Sequence, residues 1–188
     1  MDSLRMLVDR LDAQDPATAA HGRAVAHWCG RMVEQLRLTR DERVWIERSA
    51  HLHDVGKLCV AEELLRAPRA LAAAERAAVA LHVIEGEKLL AEYGLLVYRD
   101  AVRHHHERFD GRGYPDGLRG AAIPLAARIV SVADAYDAMT GQRPYRFPMT
   151  PDRALLEIER ARGTQFDPDV VEVMLAIVGD ALRRPIAV

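Results

Sequence analysis

Lysine is almost missing from this chain of 188 residues: Lys57 and Lys88 are the two lysines among 26 basic side chains, and arginine supplies the rest. Each lysine therefore asks for a chemical reason of its own. Cysteine is equally scarce, at Cys29 and Cys59, which excludes a disulfide framework and makes a reducing cytoplasm the simpler setting. No apolar run approaches the roughly 20 residues of a membrane helix. The opening Met1-Asp-Ser-Leu-Arg lacks the basic and apolar blocks of a signal peptide. Positive charge is not in excess either: 26 basic against 28 acidic side chains give a net charge of −2, which argues against non-specific DNA or RNA binding. Alternating strand patterns are nearly absent, and there is no repeat, low-complexity tract or flexible linker. With 49% hydrophobic and 29% charged residues, the chain reads as one globular domain over residues 1–188.

What is present is helical periodicity. Leu4, Leu7, Val8 and Leu11 share a face over residues 2–14. Asp15-Pro16 caps a second helix running to about Leu38, and Thr39 with Glu42 three residues on starts a third to about Asp54. Alanine-rich residues 71–93 predict one long helix ending at Gly94, followed by a helix over 96–106. Asp110-Gly-Arg-Gly-Tyr-Pro-Asp-Gly117 must be a loop, since three glycines and a proline fall within eight residues. Residues 124–140 are helical again, and Thr150-Pro151 and Asp167-Pro168 cap the last two helices. The expected fold is an all-α, single-domain bundle of about seven helices with a glycine-rich loop.

The histidines and acids are concentrated. His21 lies early in the second predicted helix and His53-Asp54 ends the third, in the string His-Asp-Val-Gly-Lys57. His82 lies mid-helix, His105-His106-Glu107 ends a helix before the glycine loop, and Asp134 lies in an otherwise apolar helix. Imidazole with carboxylate is a ligand set for zinc, manganese, iron or nickel. A carboxylate bridges two cations, which imidazole does poorly, so Asp54 is the natural shared ligand. Asp134 is hard to read as structural, because an unpaired buried carboxylate costs several kcal/mol. Asp137, three residues on, would repel it without a cation nearby. His27, His51 and His104 are read as structural or flanking.

Six blocks in series make the chain recognisable: Asp15-Pro-Ala-Thr18-Ala-Ala-His21, His53-Asp-Val-Gly-Lys57, His82, His105-His-Glu-Arg-Phe-Asp-Gly-Arg-Gly-Tyr-Pro115, Asp134-Ala-Tyr-Asp-Ala-Met-Thr140 and Arg143-Pro-Tyr-Arg146. Over residues 15–170 the sequence resembles the HD-GYP family of the HD phosphohydrolase superfamily. The resemblance implies a phosphodiesterase that hydrolyses cyclic di-GMP to linear pGpG or GMP. It also implies bound divalent transition metals, iron or manganese, with nickel or zinc as further options. The ligands it carries over are His21, His53, Asp54, His82, His105, His106 and Asp134. One metal is assigned His53, Asp54 and Asp134, and the second Asp54, His82, His105 and His106; His21 completes the first site or holds a separate one. The resemblance further implies that Lys57 and Asp54 are catalytic and that Gly113, Tyr114, Asp137, Arg143 and Arg146 line the substrate pocket. It also offers the glycine loop as a docking surface for a diguanylate cyclase domain.

Lys57 stands four residues past His53, on the same side if the helix continues, in a chain that otherwise writes arginine; a compact ammonium fits where a guanidinium does not. Two cations sharing a water lower its pKa enough to make a nucleophile at neutral pH, so no serine or cysteine is required. One departure from the family stands out. Some members carry a glutamate four residues before the first histidine, and here that position is Ala17, so two metals rather than three are expected. Two rivals remain: a catalytically weak cyclic-dinucleotide sensor or adaptor, and an HD-type phosphohydrolase acting on mononucleotides. The intact ligand set argues against the first, and the glycine-tyrosine-proline loop with Arg143-Pro-Tyr-Arg146 argues against the second.

Overall fold

The computed structural model describes residues 3–141 and 147–183, with side chains to residue 180. Every main element is a helix. α1 (Ser3–Gln14) buries Leu7 and Leu11. α2 (Pro16–Gln35) begins where the Asp15 carboxylate accepts the Thr18 amide at 3.1 Å with proline in the first turn. α3 (Arg40–Leu52) opens on a reciprocal capping box between Thr39 and Glu42. A 3₁₀ turn (Val55–Cys59) and a single turn α4 (Glu62–Leu65) lead to α5 (Ala73–Ala80) and α6 (His82–Glu92). α7 (Arg99–His104) precedes the glycine loop. α8 (Leu125–Thr140), α9 (Pro151–Arg160) and α10 (Pro168–Arg183) complete the bundle. Among the described residues no helix is long and apolar enough to cross a membrane.

Two apolar clusters hold these helices. The larger joins α2, α3, α8, α9 and α10 through Met32, Ile46, Ile129, Ile158 and Met174. The smaller joins α1, the end of α3, the 3₁₀ turn, α6 and α7 through Leu7, Leu52, Val55, Leu90 and Val102. Ala50 belongs to the first cluster and Leu52 to the second, so the end of α3 runs between them and delivers His53 into the interior.

Two departures from the expected helices matter for the site. The helix expected over 71–93 is broken at Leu81, separating α5 from α6. The Val79 carbonyl there accepts the His82 imidazole at 2.8 Å, and Leu81 turns outward. α3 also stops at Leu52, short of Asp54, and the chain tightens into the 3₁₀ turn. That turn lies directly on the first turn of α6: a Cβ on Gly56 would fall 1.8 Å from the His82 carbonyl oxygen and 2.4 Å from the Gly86 nitrogen. Only glycine permits this approach.

Candidate metal centre and its pocket

Three imidazoles are oriented in the same way. His53, His82 and His105 each place Nδ1 on the carbonyl oxygen three residues earlier, Ala50 at 2.6 Å, Val79 at 2.8 Å and Val102 at 2.9 Å. A carbonyl only accepts, so each Nδ1 carries a proton, and in the neutral ring Nε2 is the nitrogen with the free lone pair. The three carbonyls lie in the last turns of α3, α5 and α7, where regular helical hydrogen bonding runs out and a carbonyl can take a side-chain donor. Helix ends thus supply both the backing hydrogen bonds and a convergence of negative dipole ends.

The three Nε2 atoms face Asp54. Asp54 Oδ1 lies 3.3 Å from His82 Nε2 and 3.9 Å from His105 Nε2, while Oδ2 lies 3.3 Å from His53 Nε2 and 2.5 Å from Lys57 Nζ. One carboxylate therefore divides its two oxygens between two groups of histidines. The ligand atoms of Asp54, His82, His105 and His106 lie within 4.8 Å of one another, and so do those of His21, His53 and Asp54.

These residues fit divalent cations on their own chemistry. His53 Nε2 is buried without a hydrogen-bond partner. The Nε2 lone pairs of His82 and His105 face each other at 3.4 Å, an arrangement that a shared cation relieves. Burial, helped by neighbouring imidazoles, holds His105 well below the usual histidine range and pushes His106 down to about 4, so both are ready as neutral ligands. Burial works against ionising Asp54, but Lys57 and His53 outweigh it and keep the carboxyl well below its ordinary value.

The second expected group is arranged differently from the expectation. Asp134 is not within the His21, His53 and Asp54 cluster; its Oδ1 accepts His21 Nε2 at 2.9 Å. Asp137, expected to touch substrate, instead accepts His21 Nδ1 through Oδ2 at 2.6 Å. The reason is the α-helical spacing: residues 134 and 137 share a face of α8, and one imidazole bridges both carboxylates. Burial opposes protonation of His21, but the two carboxylates prevail and raise it to about 9. The repulsion anticipated between these acids is thus relieved by His21.

Lys57 reaches the site by another route than helical i,i+4 spacing. It shares the side of Asp54 because residues three apart eclipse in a 3₁₀ turn. Gly113, expected to let substrate approach, serves the loop's own packing. A Cβ there would fall 2.3 Å from the Arg108 nitrogen and 2.6 Å from the His106 oxygen, so protein backbone fills the space. Tyr114 stacks on His106, with ring centres 5.0 Å apart and planes 30° from parallel. Arg143 and Arg146 lie outside the described residues.

Glu107 has a role that the sequence reading did not assign. Its buried carboxylate accepts the Asp116 amide at 2.7 Å and the Leu118 amide at 3.1 Å, tying the glycine loop down beside His106. Asp116 in turn accepts both Nε and Nη2 of Arg103 at 2.8 Å and lies 2.9 Å from His104 Nε2. His104 thereby belongs to the loop's anchor, next to the ligand histidines. His27 is exposed beside Trp28, and His51 is half-buried beside Gly22, both away from the ligand cluster. The signal for Glu107 was its place directly after the histidine pair; its two acceptor bonds depend on how the loop folds back.

A buried carboxylate shared by histidines at converging helix ends is a donor set for divalent cations. The chain belongs to the HD domain family, whose profile matches residues 5–170. It is 40% identical over 181 residues to the cyclic di-GMP phosphodiesterase response regulator RpfG of Xanthomonas campestris, covering 93% of this chain and 47% of that protein. It is also 40% identical over 162 residues to 3′3′-cGAMP-specific phosphodiesterase 3 of Vibrio cholerae, covering 85% of this chain and 35% of that one. The chain thus spans half or less of the length of these curated relatives. Among solved structures, Bd1817, an HD-GYP-type protein from Bdellovibrio bacteriovorus, superposes with a TM-score of 0.71 at 20% identity, over 88% of this chain and 53% of that one. The fold is therefore that of the HD-GYP proteins.

Proposed function

We propose that this chain is a metal-dependent phosphodiesterase that opens cyclic di-GMP to the linear dinucleotide or carries it on to GMP. The observation that carries this reading is Asp54, whose two oxygens are divided between His82 and His105 on one side and His53 on the other. Asp54, His82, His105 and His106 would hold one divalent cation, and His53 and Asp54 with Asp134 the other, which His21 would join once a cation displaces the proton on its Nε2; iron or manganese suits this mixed imidazole and carboxylate set. When bound, such a pair supplies Lewis acidity at the phosphoryl group and acidifies a water.

The chain's own residues supply the rest. Lys57, held against Asp54, places an ammonium where a phosphate oxygen gains negative charge. Asp137 fixes the ring of His21, and the backbone carbonyls fix the other imidazoles. Tyr114 stands over His106 at the mouth of the site. Arg143 and Arg146 belong to the same reading as phosphate-binding forks, and residues 1–188 as one domain. The exposed loop residues Arg112 and Arg119 support the further reading that a signalling domain such as a diguanylate cyclase docks there.

The test is to load the protein with manganese or iron, incubate it with cyclic di-GMP and separate the products. Linear pGpG or GMP supports the proposal, and intact substrate overturns it. The 40% identity to a 3′3′-cGAMP-specific enzyme makes cyclic GMP-AMP the second substrate in that assay.

A further inference from the structure

An open cleft of about 420 Å³ is lined in part by Tyr114, whose ring stacks on His106 of the candidate metal centre. The volume lies within the range of about 300–1,000 Å³ typical of small-molecule sites. Its other wall is α5 and the segment before it: Leu71, Ala77, Val79 and Ala80, with Arg76 the charged residue among the described lining residues. Ala77 and Ala80 are three apart on one helical face and offer a low apolar surface. The Tyr114 ring, which lines the same cleft, is held by its stack on His106, and its amide donates to the His106 carbonyl at 3.3 Å. The helix carrying Arg76 is anchored at its start, where Glu75 accepts the Ala72 amide and two Arg69 N–H groups, each at 2.7 Å. Arg76 gives one of its N–H donors to the Leu71 carbonyl.

Two walls, one aromatic and one built from small apolar side chains, suit a planar ring. A guanidinium on an otherwise apolar rim suits an edge that carries two acceptors. Resting on the cyclic dinucleotide reading above, we infer that this cleft is a purine subsite selective for guanine. The base lies between Tyr114 and the Ala77–Ala80 face, and Arg76 donates to O6 and N7. Adenine presents an amino donor in place of O6, so the same arginine meets donor with donor. Leu71, Arg76, Ala77 and Tyr114 are therefore specificity-determining residues, separate from the metal ligands.

The test is calorimetric titration of the manganese-loaded full chain with phosphorothioate analogues of cyclic di-GMP and cyclic di-AMP, which resist hydrolysis. The wild type should bind the guanine analogue about tenfold or more tightly than the adenine one. Ala77→Trp fills the cleft from an exposed helix position and should weaken the guanine analogue at least tenfold. Arg76→Ala should lose about tenfold for guanine and nothing for adenine, closing the gap between them. Metal content should stay at the wild-type value in both variants. Wild-type affinity in Ala77→Trp overturns the subsite, and equal losses for both analogues in Arg76→Ala overturn its guanine contact. A wild type that binds the analogue tightly yet leaves cyclic di-GMP intact would defeat the proposed function while the two variants still decide the cleft; no binding at all defeats the subsite.

Discussion

Gly56 offers the sharpest perturbation of the candidate metal centre that replaces no ligand side chain. It sits between Asp54 and Lys57 on the 3₁₀ turn, with its backbone on the first turn of α6. Adding a methyl by Gly56→Ala places Cβ 1.8 Å from the His82 oxygen and 2.4 Å from the Gly86 nitrogen. Cβ atoms essentially never come within 3.0 Å of a neighbour, and both atoms met are backbone, so the turn and α6 must part by more than an ångström. Overpacking of this kind costs about 1–3 kcal/mol, or roughly 2–12 °C in Tm for a domain of this size. The same displacement pulls His82 Nε2 away from Asp54 Oδ1, now 3.3 Å apart. Metal occupancy should therefore fall together with Tm. Gly94→Ala is the control: its φ of +69° makes alanine strained, but nothing lies within 4 Å of the added methyl. It should cost about 1–2 kcal/mol and keep the full metal content. Thermal unfolding with elemental analysis of both variants reads the comparison. A Gly56→Ala protein that loses stability but keeps its metals would refute the claim that this contact sets the ligand geometry.

Three further outcomes follow from the site. Lys57→Arg keeps the charge but changes its shape beside Asp54; turnover of cyclic di-GMP should fall at least tenfold, about 1.4 kcal/mol in the barrier, and near wild-type turnover would make the lysine incidental. Glu107→Ala leaves the Asp116 and Leu118 amides without their charged acceptor; a loss of about 3 kcal/mol and faster hydrogen exchange over residues 113–118 are expected, and unchanged exchange would contradict the anchoring role. Ala17→Glu adds a carboxylate one helical turn before His21 and should raise the metal count from two toward three by elemental analysis; a wild type that already holds three would show that another residue replaces the missing glutamate.

Much of the bundle is legible in the residues because its signals are local. Asp15, Thr39 and Thr150 each cap the helix they announce, through bonds to an amide three residues on. His53, His82, His105, His106 and Asp54 are legible as a candidate ligand set because their chemistry has few structural uses in an apolar interior, and the fold does bring them together. The break at Leu81 is not legible: no glycine or proline marks it, and alanine-rich flanks favour an unbroken helix. It depends on tertiary contacts, among them the His82 imidazole on the Val79 carbonyl. Lys57 falls on the expected side for a different reason, since the turn is 3₁₀ rather than α. Asp137 is legible as an acid needing a partner, but its partner, His21, lies 116 residues away in sequence. Glu107 and Gly113 act on backbone brought close only when the loop folds back, which spacing along the chain does not encode.

The central claim is that Asp54 joins two metal sites into one centre. Its most direct test is the metal content of Asp54→Ala beside the wild type, both reconstituted with manganese under the same conditions and measured by elemental analysis. The arrangement of Asp54 between His53 and the His82–His105 pair predicts two metals per wild-type chain and loss of both in the variant. A folded Asp54→Ala protein that keeps two metals would contradict the account.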